Sequence, residues 1–378
     1  MINMSCAVVP ILTRKNPIYW LSVIPKRKHS YPVNVKGVLT KNKLYTMIKL
    51  LRKNTLWTLM AATLVFTACS DDDEETTDPN PNPGPTENIA EVAIASPNYS
   101  ILVEALQAAD LVDVVSDENS TYTVFAPDND AFNAFFDAQQ ITDANNDGSR
   151  VDDLVGALGA DAVRETLLYH VLAAEIRAAD VPENAYVTTA STFSPNGNQL
   201  SLLAQSAGGN VTLNGYASVE NADLLATNGV IHGIDNVLTM PTVADFASYD
   251  ANLSTLFTAV GDAGLAGTLS DNEATFTVFA PLNSAFDAIS GTVASLTNEQ
   301  LVTVLTYHVL ETEVRAADVT SGIVPTVSGQ SISITVMDGA VSIADADESN
   351  ADANVVLTDV QGTNGVVHVI DAVLIPQL

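Results

Sequence analysis

The sequence predicts an α+β fold, and predicts it twice. Three observations carry that reading. TYTVFAPDNDAF (121–132) recurs as TFTVFAPLNSAF (275–286), and LLYHVLAAEIRAADV (167–181) recurs as LTYHVLETEVRAADV (305–319). In each copy a stretch of helical periodicity precedes a β-branched, aromatic one. Each copy then turns strand-like and closes on TNGVIHGID (227–235) or TNGVVHVID (363–371).

In chain order, SILVEALQAADLV puts Ile101, Leu102, Ala105, Leu106 and Ala109 on one helical face. TYTVF reads as a strand ended by Pro127. Asp128 or Asn129 then caps a helix carrying Phe132, Phe135 and Phe136. In the second copy a helix starts at Thr297, with Gln300 three residues on as a capping box. SISITVMDGAVSIA (331–344) sets Asp338-Gly339 between two alternating runs, a hairpin signal.

The three motifs repeat at offsets of 154, 138 and 136 residues. Such a period is far too long for a solenoid, so each copy is expected to be a domain with its own core, over 88–240 and 242–377. TMPT (239–242) is the seam, and its shortness predicts that the domains touch. The 16-residue gap between offsets places an insertion in the first copy, near 138–155.

Charge divides the chain. Residues 1–68 hold 11 of the 15 Lys and Arg and no acid. From Cys69 onward there are Arg150, Arg164, Arg177 and Arg315 against all 45 acids, so that part carries 4 − 45 = −41. Such a body is repelled by nucleic acid and by anionic membrane surfaces. The two cysteines, Cys6 and Cys69, both lie outside the repeated region, which excludes a disulfide-stapled core.

MIKLLRKNTLWTLMAATLVFTAC (47–69) has a basic start, an apolar run and small residues before a cysteine. The run is too short to span a bilayer and fits an export signal over 47–68. FTAC resembles a lipobox, which makes Cys69 the lipidation site and excludes residues 1–46 from the mature protein. The following 17 residues, SDDDEETTDPNPNPGPT, hold no apolar side chain able to join a core. Their alternating prolines favour an extended tether (69–87) of roughly 50 Å at ~3.1 Å per residue. The expected location is the outer membrane or cell surface, with the membrane met through the lipid anchor only.

The stretches TVFAP-x-N-x-AF, YHVL and TNGV-[IV]-H-x-ID-x-VL together resemble the fasciclin domain, in order and in both copies. That resemblance implies a small β-wedge with packed helices, present in tandem. It also implies adhesion rather than catalysis. The family's Tyr-His region, linked to adhesion, falls on Tyr169-His170 and Tyr307-His308. Its Asp-plus-apolar adhesive motif falls on Asp223-Leu224 and Asp359-Val360, with different surrounding residues.

His170 and His308 sit at the inward position of their helical patterns, after Val163, Thr166 and Leu167 and after Leu301, Val304 and Leu305. Two readings stand: a satisfied core histidine, or part of the adhesion region. VIHGIDNVL favours a strand, in which Val230, His232, Ile234 and Leu238 face one way and Ile231, Asp235 and Val237 the other. A local His-x-x-Asp site is therefore not expected.

No lysine follows Cys69, and no G-x-S-x-G, H-E-x-x-H or G-x-G-x-x-G occurs. The expectation is no enzyme and no cofactor. One metal candidate lies in the insertion, DANNDGSRVDD (143–153). Asp143, Asn145, Asp147 and Gly148 match positions 1, 3, 5 and 6 of a calcium loop. Arg150 and Leu154 break the pattern at positions 8 and 12, which leaves Asp152 or Asp153 as a displaced ligand. A weak Ca²⁺ loop and a solvated Asp/Asn loop both fit. The expected partner is a surface protein or a polysaccharide, not nucleic acid. The alternative function is a glycan-binding accessory lipoprotein of the outer membrane. The Trp residues, Trp20 and Trp57, lie upstream of Cys69, which counts against that alternative.

Overall fold

The computed structural model describes residues 84–346 and 352–378. The expectations for the export segment, for Cys69 and for most of the tether lie outside those residues.

The first domain opens with α1 (Ile89–Ala95), α2 (Ser100–Ala108) and α3 (Val112–Val115), followed by β1 (Tyr122–Pro127). Next come α4 (Asn129–Ala138), α5 (Val151–Leu158), α6 (Ala160–Tyr169) and β2 (Val171–Leu172). Five strands complete it: β3 (Ala185–Thr188), β4 (Ser201–Ala207), β5 (Asn210–Leu213), β6 (Ala217–Ala226) and β7 (Gly229–Ile234).

The second domain repeats the order. It has α7 (Asp245–Tyr249), α8 (Ser254–Asp262), α9 (Ala266–Leu269), β8 (Phe276–Pro281), α10 (Asn283–Ala288), α11 (Ser290–Val293) and α12 (Asn298–Tyr307). Then follow β9 (Val309–Leu310), β10 (Gly322–Pro325), β11 (Ser331–Met337), β12 (Ala340–Ala344), β13 (Ala353–Gly362) and β14 (Gly365–Ile370).

The helix starts follow their caps. Asp128 accepts the Ala131 N–H at 2.8 Å and opens α4. Thr297 and Gln300 form the reciprocal capping box that opens α12. The Asp338-Gly339 turn has φ of +52° and +83°, the left-handed pair that a two-residue hairpin turn requires.

Each sheet has seven strands, ordered β2-β1-β7-β6-β5-β4-β3 in the first domain and β10-β11-β12-β13-β14-β8-β9 in the second. All pairings are antiparallel except β1 with β7 and β8 with β14, which run parallel. β6 and β13 each carry two register shifts, and such irregularities bend a sheet. The bend makes a wedge. One face of β1 and β7 (Val124, Ala126, Ile231) packs on Leu102, Leu106, Phe132, Phe136 and Leu167 of the helices. The other face (Phe125, Ile234) packs inside the wedge on Leu172, Leu202, Leu213 and Leu238. The second domain has the same two cores.

The domains touch, as the short seam predicts. The Tyr186 ring on β3 meets the Phe246 ring on α7 with centroids 5.8 Å apart, and its hydroxyl donates to Asp250 at 3.1 Å. Burial, then the Asp250 charge, pushes the Tyr186 phenol above its ordinary value. The Gln361 N–H on β13 donates to Ser201 Oγ on β4 at 3.0 Å, and Asn198 donates to Glu313 at 2.7 Å.

Candidate functional site

The recurring polar residues face inward in both domains. Tyr169 is fully buried. Its hydroxyl donates to the Ser201 carbonyl at 2.9 Å and accepts from Asn214 at 2.9 Å. Tyr307 makes the matching bond to the Ser331 carbonyl at 2.9 Å. His170 lies one residue beyond α6, at its C-cap. Its cap dihedrals (φ −84°, ψ 0°) stay near the helical region, so it keeps the inward direction read from the periodicity. Its Nδ1–H donates to the Thr166 carbonyl at 2.7 Å, and its Nε2 accepts the Leu238 N–H at 2.8 Å. His308 does the same with Val304 and Leu374, at 2.8 and 2.9 Å. Burial brings both imidazoles down to a pKa of about 4, against a smaller opposing effect of the backbone bond. The Tyr-His positions are therefore core groups that tie the end of a helix to the chain after the last strand. They offer no surface to a partner.

His232 and His368 form a second bonded unit. A carbonyl only accepts, so the 2.9 Å contact from His232 Nε2 to the Ile176 carbonyl fixes the Nε2–H tautomer. Nδ1 then accepts the Asp223 N–H at 3.2 Å, and the Asp223 carboxylate accepts the Ala178 N–H at 3.0 Å. His368, Asp359, Val314 and Ala316 repeat these bonds at 2.9, 3.3 and 2.9 Å. Thr123 and Thr277 pin the same connecting segment. Each hydroxyl donates to a carbonyl at 2.6 Å (Ala174, Thr312) and accepts an N–H at 2.8 Å (Ile176, Val314). Asp223 and Asp359 hold φ of +60° and +62°, sparsely populated for a non-glycine residue. Burial lowers the His368 pKa, with Val314, Asp359 and Arg315 as lesser influences.

Asp235 plays no part in this unit. It directly follows Ile234, the last residue of β7. There its carboxylate accepts the Ser218 N–H at 2.7 Å. His232 and His170 are satisfied by different segments. Among the described residues, no group of three or more His, Cys, Asp or Glu is placed to hold a metal ion.

The NG dipeptide ties each domain together. Asn228 is buried, accepts the Ile89 N–H at 2.9 Å, and donates to the Val115 and Asp117 carbonyls at 2.9 and 3.2 Å. Asn364 does likewise with Val243, Leu269 and Asp271. Gly229 (φ +143°) lies where an added Cβ would stand 1.9 Å from the Tyr122 carbonyl oxygen, and Gly365 where it would stand 2.0 Å from that of Phe276. Only glycine lets β7 run beside β1 here. The sequence shows NG as a turn. The Asn bonds span 93 to 139 residues and leave no local trace.

The insertion is half helix. Its second part is α5, which buries Val151 and Leu154. Asp143 accepts the Asp147 and Gly148 N–H groups at 3.1 and 3.0 Å, and Asn145 accepts Asp147 N–H at 3.4 Å. Asp147 accepts Ser149 N–H at 2.8 Å, and Asp153 accepts Ala144 N–H at 3.0 Å. Asp152 and Asp153 lie in the first turn of α5, where a carboxylate is favourable. Arg150 turns away to Asp137 at 2.6 Å and lies over the Phe136 ring at 4.8 Å. The loop oxygens are thus engaged with its own backbone.

The domains differ in the residues beside the strained aspartates. Leu224 and Leu225 are each 39% exposed, while the matching Val360 and Gln361 are 2% and 1% exposed, and Gln361 bonds Ser201 of the first domain.

A sequence profile described as the Fasciclin domain matches residues 97–241 and 251–376. The chain is similar to protein sll1483 of Synechocystis sp., at 41% identity over 142 residues, 36% of this chain and 74% of that protein. It is also similar to transforming growth factor-beta-induced protein ig-h3 of Sus scrofa, at 27% identity over 262 residues, 68% of this chain and 35% of that protein. A solved structure described as a FAS1 domain pair from the insect cell adhesion molecule Fasciclin I is similar over 74% of this chain and 95% of its own, with 23% identity and a TM-score of 0.41.

Proposed function

The chain belongs to the fasciclin domain family, and from that premise we propose that it is a non-catalytic adhesion or recognition module held at the cell surface by a lipid on Cys69. One observation carries the reading. Every recurring Tyr, His and Asn of the repeated motifs is spent on internal bonds, matched between the domains except that Tyr169 also accepts from Asn214. What is left to meet a partner is the outer surface, where the two domains diverge. A second domain in the same chain raises avidity when both engage one partner.

Displaying the protein on cells is expected to raise cell–cell or cell–matrix attachment. Deleting 88–377 while keeping the tether is expected to remove the gain. Equal attachment with and without the domains rejects adhesion. Recovery of a polysaccharide rather than a protein in a pull-down moves the assignment to a glycan-binding accessory role. Cys69→Ala is expected to release the protein from the membrane fraction, and retention there rejects the anchor.

A further inference from the structure

We propose that copies of this chain stack head to tail, the second domain of one copy seated on the Leu224–Leu225 face of the first domain of the next. The argument comes from the seam inside the chain and does not depend on the adhesion reading. That seam joins two surfaces of different kinds. The first domain contributes the open face of β3 and β4, through Tyr186 and Ser201. The second domain contributes α7 and the end of β13, through Phe246, Asp250 and Gln361. Because the domains are repeats, each also owns the surface that the other used.

Both leftover surfaces are uncovered. The first domain's counterpart of Val360-Gln361 is Leu224-Leu225, at the matching places on β6 and beside the matching parallel strand. The turn after it bonds the incoming chain in the same way, Thr227 N–H to the Glu87 carbonyl and Thr363 N–H to the Pro241 carbonyl. In the second domain the preceding domain arrives at that point and covers the face. In the first domain the two leucines stay 39% exposed. At the other end, β10 pairs with β11 as β3 does with β4, which puts Ile323 where Tyr186 stands. Ile323 is 78% exposed. Ser331 holds the place of Ser201, the hydroxyl that accepts from β13 across the seam. The burial patterns agree: β4 is covered on both faces at Ser201–Ala204, whereas β11 alternates exposed and buried.

The occupant is a second copy because the matching interface in the chain shows which surface fits this face. The tether at 70–86 is acidic and carries no apolar side chain larger than proline to lay on two leucines. The contact is heterologous, so it propagates in a row rather than closing on itself. It is weaker than the seam. Ile323 replaces the Tyr186 hydroxyl, no covalent link holds the partners, and both copies carry a net −41 from Cys69 onward (4 − 45). Salt therefore strengthens it by screening.

Sedimentation of the purified chain from micromolar to millimolar is expected to show a mass that grows with concentration, more so at high salt. Leu225→Glu and Ile323→Glu, both at exposed positions, are each expected to hold the mass at one chain. Mixing the two variants is expected to double it, because each keeps the face that the other lacks. A chain that is monomeric at all concentrations overturns the proposal. So does an Ile323→Glu chain that associates like the parent, which would mean a symmetric contact through the leucines. A mixture that stays monomeric overturns it as well.

Discussion

Leu224-Leu225 and Val360-Gln361 are the same piece of two domains. Each follows an aspartate held at positive φ, and each aspartate offers its N–H to a histidine and its carboxylate to a connecting segment. Inside, the two copies are nearly superimposable in their bonds. Outside, one pair is covered by a neighbouring domain and the other faces solvent. Even the arginine differs: Arg315 reaches Gln361 at 2.8 Å and Asp359 at 3.8 Å, whereas Arg177 pairs with Glu175 at 2.6 Å. The repeated residues therefore build the fold, and the unrepeated ones decide what each domain meets.

The largest expected effect tests the shared interior. Gly229→Ala and Gly365→Ala each drive a Cβ into a backbone oxygen, at a cost on the order of 4–5 kcal/mol or more. Each is expected to abolish the urea transition of its own domain. Tolerance at either position would break the equivalence of the two parallel closures.

Acid titration comes next. The folded pKa of His170 and of His308 lies near 4, below the ordinary 6.5. Between those values the unfolded chain binds more protons, so this stability is complete above about pH 6.5 and is lost as pH falls toward 4. The loss is about 3 kcal/mol for each histidine. His170→Gln and His308→Gln are each expected to flatten the pH dependence of the urea midpoint in their own domain. A midpoint that does not move over this range would reject the buried-neutral assignment.

Tyr186→Phe tests the seam alone. It deletes the hydroxyl bond to Asp250 and leaves the ring contact, at a cost of about 1 kcal/mol. The expected readout is a wider separation between the unfolding transitions of the two domains. Ile323→Phe, at the equivalent exposed place, is expected to leave both transitions unmoved.

The smallest effect lies in the one loop without a counterpart. Asp143→Ala removes a carboxylate that accepts two backbone N–H groups, and is expected to cost about 0.5–1 kcal/mol in the first domain only. Millimolar Ca²⁺, where weak extracellular sites fill, is expected to leave the melting temperature unchanged. A rise in melting temperature that Asp143→Ala abolishes would establish the calcium loop.

Much of this was legible from residues alone, because it is local. The Asp128 cap, the Thr297–Gln300 box and the Asp338-Gly339 hairpin are chemistry within four residues. The two-sided reading of VIHGIDNVL holds for Ile231 and Val237 against Ile234 and Leu238, which enter different cores. The alternation runs on past the end of β7 at Ile234, and His232 and Asp235 bond different segments, Ile176 and Ser218. The roles of Asn228 and Thr123 were hidden because their partners lie 51 to 139 residues away. Tyr186 was hidden for a different reason. Its partners belong to the next domain, and a β-strand tyrosine looks the same whether solvent or a neighbour covers it.

The parallel pairing of β1 with β7 has a consequence in time. The strand that opens the sheet, at Tyr122, is joined by the one that ends it, at Gly229. Contacts this distant along the chain slow folding, since the intervening loop must be closed before they form. During synthesis β1 waits for its neighbour until almost the whole first domain has emerged, with one hydrogen-bonding edge bare. β8 then waits in the same way for β14. A bare apolar edge is a template for wrong pairing. The waiting strands are TVFAP in both domains, so the sequence that most marks the repeat is also the one most able to pair with the wrong copy.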